Sequence, residues 1–279
     1  MTETTEQEKE APRFIRAFKA LKDRRMAAML LLSFAAGIPY GAVIGSLNAW
    51  LTEAGVNPRE IGVLSFIILA YSFKFIWSPA FQKPTEIIPS KLGARRSWLL
   101  ICQILIAVLL VALALTNPAG SLALVAGAAL LIALASATHD IVLDAWRIEV
   151  AETDEDLDLM SALYQFGYRL AGLLTGALAL VLAARIGWNY TYMLLAVGML
   201  IATIGSFVAP IPPKRLETSV AEMARQSGVE PPFRHAAVIA VGLSWAVGIY
   251  FILNFMYQSF TFQPVSTEDA IAAIVPSRP

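Results

Sequence analysis

The chain has 279 residues, of which 57% are hydrophobic and 15% charged, and its formal net charge is zero. A soluble domain of this length would be about one quarter charged, so the composition excludes a soluble globular protein and predicts an integral membrane protein. Cys102 is the single cysteine, which excludes a disulfide within the chain.

Residues 1–25 form a charged segment ahead of the first hydrophobic stretch. A helix over its second half would place Phe14, Ile15, Phe18 and Leu21 on one face, with basic residues around them. This pattern is typical of an amphipathic helix lying on the cytoplasmic leaflet. A solvated basic flank that only sets the orientation is the alternative.

Seven hydrophobic stretches are long enough to cross a bilayer, since a spanning helix needs about 20 mostly apolar residues. The stretches are continuous, whereas the strands of a membrane barrel alternate over about ten residues. The sequence therefore predicts an all-α protein. The predicted spans, one to seven, are residues 26–50, 61–81, 98–116, 121–146, 160–184, 190–209 and 236–258.

A short internal repeat relates the end of span one to the end of span four. Residues 47–53 are LNAWLTE and residues 143–149 are LDAWRIE, so Leu, Ala, Trp and Glu recur in register. Three spans separate the copies, which therefore run in opposite directions through the membrane. Inverted three-plus-three repeats build the six-helix halves of many transporters. The repeat indicates that residues 26–209 form one such half bundle.

Prolines separate this half bundle from the rest of the chain. Three of them lie within residues 210–213, and the polar residues 210–235 resemble a cytoplasmic connector between two transporter halves. A seventh span, 236–258, and a short tail, 259–279, follow. A second half bundle would have to come from another polypeptide, unless the chain is a fragment or a truncated product.

Lys and Arg concentrate in alternate loops. An excess of these residues marks cytoplasmic loops, so the pattern predicts a cytoplasmic N-terminus. Because the orientation of the protein in the membrane accounts for the distribution of these basic residues, no nucleic-acid partner is predicted. The residues concerned are Arg13, Arg16, Lys19, Lys22, Arg24, Arg25, Lys83, Lys91, Arg95, Arg96, Lys214, Arg215, Arg225 and Arg234.

Four ionisable side chains, Lys74, Asp140, Asp144 and Arg169, lie inside the predicted spans. A charge at the centre of a membrane helix costs roughly 2.5–3.5 kcal/mol on insertion scales, and such residues usually mark transport or proton sites. Two acids and two bases could compensate one another. We therefore expect these four residues to couple a proton to a substrate, with His139 as a further candidate.

Asp140 and Asp144 are one turn apart and share a helical face. Arg169 lies at a depth comparable with that of Asp140 on the next span, so a pair between Asp140 and Arg169 is the expected arrangement. A purely structural ion pair is the alternative. His139 lies off the acid face, where it could instead be hydrogen-bonded between helices.

Lys74 lies about two turns from the cytoplasmic end of span two. It could snorkel to the interface, contact an anion, or form a gate ion pair with Asp144.

Small and polar residues suggest which faces line a cavity. In span one, Gly37, Gly41 and Asn48 share a stripe that includes the break at Pro39, and Gln165 shares a stripe with Arg169 in span five. Glycines at this spacing allow helices to approach closely. The alternative is a hinge that lines the cavity.

Neither an enzyme constellation nor a metal or cofactor motif is present in the sequence. The expected partners are therefore the lipid bilayer, a small-molecule solute and a proton, and the protein is not expected to be an enzyme.

Several motifs together resemble the AmpG-type permeases of the major facilitator superfamily, in the same order and over about residues 26–213. The resemblance implies a bacterial inner-membrane permease that imports anhydro-muropeptides with protons for peptidoglycan recycling. It also implies that the four intramembrane charges are functional. The motifs are residues 33–39 (SFAAGIP), 46–51 (SLNAWL), 71–79 (YSFKFIWSP), 136–146 (SATHDIVLDAW) and 167–170 (GYRL).

The loop after span two departs from the superfamily pattern. Gln82 stands where an Asp is expected, although the basic pair Arg95 and Arg96, a predicted cytoplasmic gate, is present. Two rival functions stay open: a non-transporting interaction or regulatory protein derived from a permease, and a transporter of another small anionic solute such as a siderophore. A polytopic membrane enzyme is a more distant alternative.

Overall fold

The computed structural model describes residues 21–81 and 92–212, together with Leu243, Tyr250 and Asn254. Several predictions lie outside this part of the chain: the N-terminal helix before Leu21, Gln82, the linker beyond 212, nearly all of the seventh span and the tail. The chain divides into two compact units, Met1–Arg215 and Leu216–Pro279. The three isolated residues of the second unit are helical, and the side chains of Leu243 and Tyr250 are exposed.

Helices account for the regular structure of the described residues, and none of these residues lies in a strand. Five helices are long and apolar enough to cross a membrane, and they coincide with predicted spans one, three, four, five and six. Many large apolar side chains on their outer surfaces are exposed, as suits contact with lipid. The five helices are Arg24–Glu53, Ala94–Ala114, Leu122–Val150, Asp154–Ile186 and Trp188–Val208.

The predicted second span is not one continuous helix, because short α-helical and 3₁₀ segments alternate along it. No residue in these segments is fully buried, so packing does not enforce a single regular helix. The segment rests on span four, where the Trp77 indole donates a hydrogen bond to Thr138 Oγ1 at 3.2 Å. Its segments are Pro58–Leu64, Ser65–Ile68, Leu69–Ser72, Phe73–Ile76 and Ser78–Phe81.

The start of span one is fixed by a side-chain cap. Asp23 accepts a hydrogen bond from the backbone N–H of Arg25 at 2.8 Å, which satisfies a free donor of the first turn. The Arg25 guanidinium also donates to this carboxylate, at 2.7 Å. The hydrogen bond from the Arg25 side chain lowers the pKa of Asp23, so the cap is ionised at neutral pH.

Spans one and five both contain a wider, π-helical turn, and the two turns pack against each other. The turns are Gly41–Ser46, just after Pro39 in span one, and Leu174–Leu178 in span five. The Ser46 hydroxyl donates a hydrogen bond to the backbone carbonyl of Thr175. Proline removes a backbone donor from the helix, and a π turn is one way in which a helix accommodates such a disruption.

The buried core has two layers along the bundle. One layer joins the start of span one to the ends of spans four and six, and it includes Met29, Trp146 and Met160. The other layer lies towards the opposite end and includes Ile106 and Tyr192. Together, the two buried layers hold the five long helices in one bundle.

Spans three and six begin with the same local structure, as an inverted repeat requires. Gly93 and Gly187 precede them with φ of 76° and 83°, a region that a side chain strongly disfavours. Four residues later, Ser97 and Thr191 each donate a hydroxyl hydrogen bond at 2.9 Å to the carbonyl of the preceding glycine. The two spans therefore start from equivalent caps.

The repeated glutamates at the ends of spans one and four also have equivalent partners. Glu149 accepts hydrogen bonds from the Arg95 guanidinium at the start of span three, the shortest at 2.5 Å. Glu53 accepts one from the Trp188 indole at the start of span six, at 2.6 Å. Each glutamate thus ties a helix end to the corresponding helix of the other repeat, which supports the predicted three-plus-three symmetry.

Candidate functional site

A cluster of four charged residues lies where spans two and four meet. The Lys74 ammonium is 4.0 Å from Asp144 Oδ2, and the Arg147 guanidinium is 3.0 Å from Asp144 Oδ1. The Lys74 and Asp144 side chains are 37% and 40% exposed. The ion pair between Lys74 and Asp144, one of the predicted alternatives, is therefore present.

Asp140 is the most buried member of this cluster, with 6% of its surface exposed. It lies one turn before Asp144 on span four, and its Oδ1 has no hydrogen-bond partner among the described residues. An ionised carboxylate is costly to bury without partners. This oxygen can therefore gain a proton, or a hydrogen bond from a ligand, at a lower energetic cost than a fully paired carboxylate could.

The expected pair between Asp140 and Arg169 is wrong. Arg169 is exposed, and the ion pairs among the described residues do not join it to Asp140. Span five presents Tyr164 to the charged cluster, where the Arg147 guanidinium lies over its ring, whereas Arg169 is exposed on the same helical stripe as Gln165. The base that approaches this part of span four is Lys74 from span two, and its ion-pair partner is Asp144.

Four tyrosines from spans one, two and five form a continuous row of rings beside the charged cluster. Tyr40 contacts Tyr71 and Tyr168, with ring centroids 5.3 Å and 5.6 Å apart, and Tyr168 contacts Tyr164 at 5.7 Å. The Arg147 guanidinium lies over the Tyr164 ring, 5.5 Å from its centroid. Tyr164, at one end of the row, therefore contacts Arg147 of the cluster. Tyr71, at the other end, is three residues, or about one helical turn, from Lys74.

Two further buried atoms in this region have no hydrogen-bond partner among the described residues. They are the Tyr71 hydroxyl and Ser136 Oγ, which lies one turn before Asp140 on span four. Buried polar groups are normally satisfied by protein or by water. Together with Asp140 Oδ1, they are three buried polar atoms that a bound water or solute group could satisfy by hydrogen bonding.

His139 lies away from the charged cluster, in a buried chain of polar side chains. Its Nε2 is 3.2 Å from the Gln103 amide nitrogen of span three. The Ser206 hydroxyl of span six donates a hydrogen bond to Gln103 Oε1 at 2.8 Å. The chain joins three helices, which fits the predicted alternative of a histidine hydrogen-bonded between spans.

Substituting His139 with Leu should lower the thermal stability of the bundle. The replacement leaves the Gln103 amide without its partner in the core, which costs about 1–3 kcal/mol. Thermal unfolding of the purified chain in detergent measures the loss of stability. An unfolding temperature equal to that of the wild type would contradict this structural role.

The predicted cavity-lining glycines of span one are instead packing positions. Gly37 and Gly41 are buried against span five, and a Cβ on Gly37 would lie 2.6 Å from the Tyr168 carbonyl oxygen. Pro39 is also buried. The close approach of these two helices therefore explains the stripe. Asn48 is half-buried and Gln165 is exposed, so these two residues remain available to a solute.

The two basic residues of the predicted gate hold helix ends together. Arg95 binds Glu149, as described above, and its guanidinium also donates a hydrogen bond to the backbone carbonyl of Phe81. Arg96 donates to the carbonyls of Ser206 and Phe207 at 2.8 and 3.0 Å. Arg95 therefore links spans three and four, and Arg96 links span three to the end of span six.

The sequence interpretation missed Tyr40, Tyr164 and Tyr168 as a group. Tyr164 and Tyr168 are one turn apart and flank Gln165, a signal of a polar aromatic face that could have been found. The contribution of Tyr40 could not be found in this way, because it depends on how span one packs against span five.

Comparison with known proteins identifies the class to which this bundle belongs. The family model for the Major Facilitator Superfamily matches residues 29–273, a range that includes the predicted seventh span. The chain therefore belongs to this superfamily, which consists of transporters and not of enzymes.

Curated relatives identify the group within this superfamily to which the chain belongs. The chain is 39% identical over 203 residues to the anhydromuropeptide permease of Escherichia coli (strain K12), an alignment that covers 70% of this chain and 40% of the relative. It is 34% identical over 204 residues to a protein of Rickettsia conorii named as transporter AmpG 4, covering 72% and 49%. The chain is thus an AmpG-type, multi-pass inner-membrane protein, and it spans less than half the length of these relatives.

Proposed function

We propose that this chain forms one half of a proton-coupled importer of anhydro-muropeptides, with its N-terminus in the cytoplasm. The proposal draws its solute from the E. coli relative, named as an anhydromuropeptide permease. The observation that carries the coupling is Asp140, a buried acid with an unpartnered oxygen, next to the pair formed by Lys74 and Asp144. The concentration of Lys and Arg in alternate loops supports the orientation.

The charges of the cluster suggest how a proton and an anion are coupled. With Asp140 and Asp144 ionised, the two acids balance Lys74 and Arg147. Protonation of Asp140 leaves a net positive charge on the cluster. Because the Lys74 side chain is 37% exposed and its ammonium is only 4.0 Å from Asp144, the ammonium can then exchange that carboxylate for a carboxylate of the solute. Deprotonation of Asp140 restores the neutral cluster and releases the solute.

A second six-helix half is the expected partner, because the relatives are more than twice as long as the aligned segment. Transporters of this superfamily place the solute between two repeats that rock against each other. The polar wall formed by the charged cluster and the tyrosines supplies one side of such a site. The second half could come from a separate polypeptide or from a continuation of this one.

The function is tested by uptake into inverted and right-side-out membrane vesicles that carry an imposed proton gradient. One preparation contains the chain alone, and another contains the chain with the C-terminal half of the E. coli relative. Labelled anhydro-muropeptide should accumulate in right-side-out vesicles of the second preparation, and a protonophore should abolish the accumulation. Absence of uptake from both preparations would overturn the proposal and favour the non-transporting alternative.

Replacing Lys74 with Gln should weaken binding of the anionic solute about tenfold, since a contact between a charged donor and a carboxylate contributes about 1.5–3 kcal/mol. Equilibrium binding of anhydro-muropeptide to the chain assembled with the C-terminal half of the E. coli relative in nanodiscs measures the change. Arg185→Gln removes an exposed base near the far end of span five and is the matched control. An equal loss in both variants would show a general effect of surface charge and contradict a direct contact with Lys74.

A further inference from the structure

The four-tyrosine row, formed by Tyr40, Tyr71, Tyr164 and Tyr168, is the largest aromatic feature beside the charged cluster. Three helical segments contribute to it, so it arises only from the packing of spans one, two and five. All four side chains are partly exposed, although each is a large, flat group that could have been buried in the core. Tyr40 and Tyr71 do not belong to either buried core layer. Tyr164 and Tyr168, by contrast, pack against the core layer that includes Trp146. The end of the row formed by Tyr40 and Tyr71 is therefore a surface of the site more than a part of the packed interior.

The chemistry of the row differs from that of the charged cluster. Tyrosine combines an apolar ring face with a polar hydroxyl tip, and ligand pockets typically combine aromatic walls with a few well-placed polar groups. Here the row ends at Tyr71, whose hydroxyl has no hydrogen-bond partner among the described residues. The solute that suits this combination has flat apolar C–H faces bordered by hydroxyl and amide groups, which describes a pyranose ring.

We infer that the four-tyrosine row binds the sugar part of the solute, while the charged cluster binds the carboxylates of its peptide part. The inference rests on the proposed function and assigns two subsites within it. The Tyr40 ring, at the centre of the row, packs against a sugar face, and the Tyr71 hydroxyl exchanges hydrogen bonds with the sugar. The peptide carboxylates reach Lys74, one turn from Tyr71.

Tyr40 is the position at which the inference can be tested with the least disturbance of the fold, because it lies outside the core layers. The variants are Tyr40→Ala, which removes the ring, and Tyr40→Phe, which removes only the hydroxyl. Tyr190→Ala is the matched control, since Tyr190 is an exposed tyrosine of span six, 64% exposed and outside the row. Tyr71→Ala provides a second position within the row should Tyr40→Ala not fold.

The measurement is equilibrium binding to the chain assembled with the C-terminal half of the E. coli relative in nanodiscs. Three probes are used: the whole anhydro-muropeptide, its peptide-free anhydro-disaccharide and its sugar-free peptide. Tyr40→Ala should weaken binding of both sugar-containing probes about tenfold and leave binding of the peptide unchanged. Tyr40→Phe should bind all three probes as the wild type does, and so should Tyr190→Ala.

Each remaining outcome overturns a defined claim. Unchanged disaccharide binding by the folded Tyr40→Ala and Tyr71→Ala variants would overturn the sugar subsite and leave the proposed function standing. Equal losses for Tyr40→Phe and Tyr40→Ala would also overturn it, because the hydroxyl and not the ring face would then be responsible. Failure of the wild type to bind the whole muropeptide would overturn the proposed function, and the subsite with it.

Discussion

Replacing Asp140 with Asn is expected to abolish concentrative uptake, so that the ratio of internal to external solute falls to about one. Coupling between a proton and a solute requires a group whose protonation changes the affinity for the solute. The amide has nearly the shape of the protonated carboxyl but cannot release a proton. The variant should therefore resemble a carrier that is permanently loaded with its proton.

This substitution separates coupling from binding. Exchange of labelled for unlabelled solute across the membrane does not require Asp140 to lose its proton, so counterflow should persist in Asp140→Asn vesicles. Accumulation driven by a proton gradient should be lost in the same vesicles. Asp158→Asn, at an exposed acid near the start of span five, is the control. Unchanged accumulation and an unchanged pH profile in Asp140→Asn would exclude a proton-coupling role.

Replacing Gly37 with Leu is expected to destabilise the bundle by about 1–3 kcal/mol or more. Even the first atom of the new side chain would lie 2.6 Å from the Tyr168 carbonyl oxygen and 2.6 Å from Ala171 Cβ. A backbone atom cannot turn aside as the end of a side chain can, so spans one and five would have to separate. Their separation would also displace Tyr168 from Tyr40.

Cys102 offers a direct measurement of this loss. It is the single cysteine of the chain, and in the folded bundle it is 4% exposed. The rate at which a thiol-reactive dye labels it on heating therefore reports unfolding. Gly45→Leu is the matched control, because a Cβ there meets nothing within 4 Å. If both leucine variants were labelled at the same temperature as the wild type, close packing at Gly37 would be contradicted.

The family match and the five long helices agree with what the hydrophobic pattern predicted, but the second span shows where such patterns fail. Residues 61–81 are apolar enough to span a membrane, yet the structure there alternates between α and 3₁₀ turns. Hydrophobicity predicts that a segment is removed from water. It does not determine how regular the helix is, which depends on neighbours that pack against it.

The candidate site shows even more clearly which features the sequence predicts and which depend on packing. The sequence identified Asp140, Asp144 and Lys74, because a charge inside an apolar stretch is visible without any knowledge of packing. It paired Asp140 with Arg169 because both lie at a similar depth. Depth follows from residue number, but the direction of a side chain depends on how its helix is rotated in the bundle, and that rotation places Tyr164 and not Arg169 beside the cluster.

The amino-acid sequence by itself determined that this is a membrane protein of the major facilitator superfamily with ionisable groups inside its spans. Both conclusions come from local composition and from motifs that keep their order along the chain. Only the tertiary structure decided that Lys74 faces Asp144 and that four tyrosines form one row. Contacts between distant helices depend on close packing at positions such as Gly37, where the absence of a side chain sets how the helices meet.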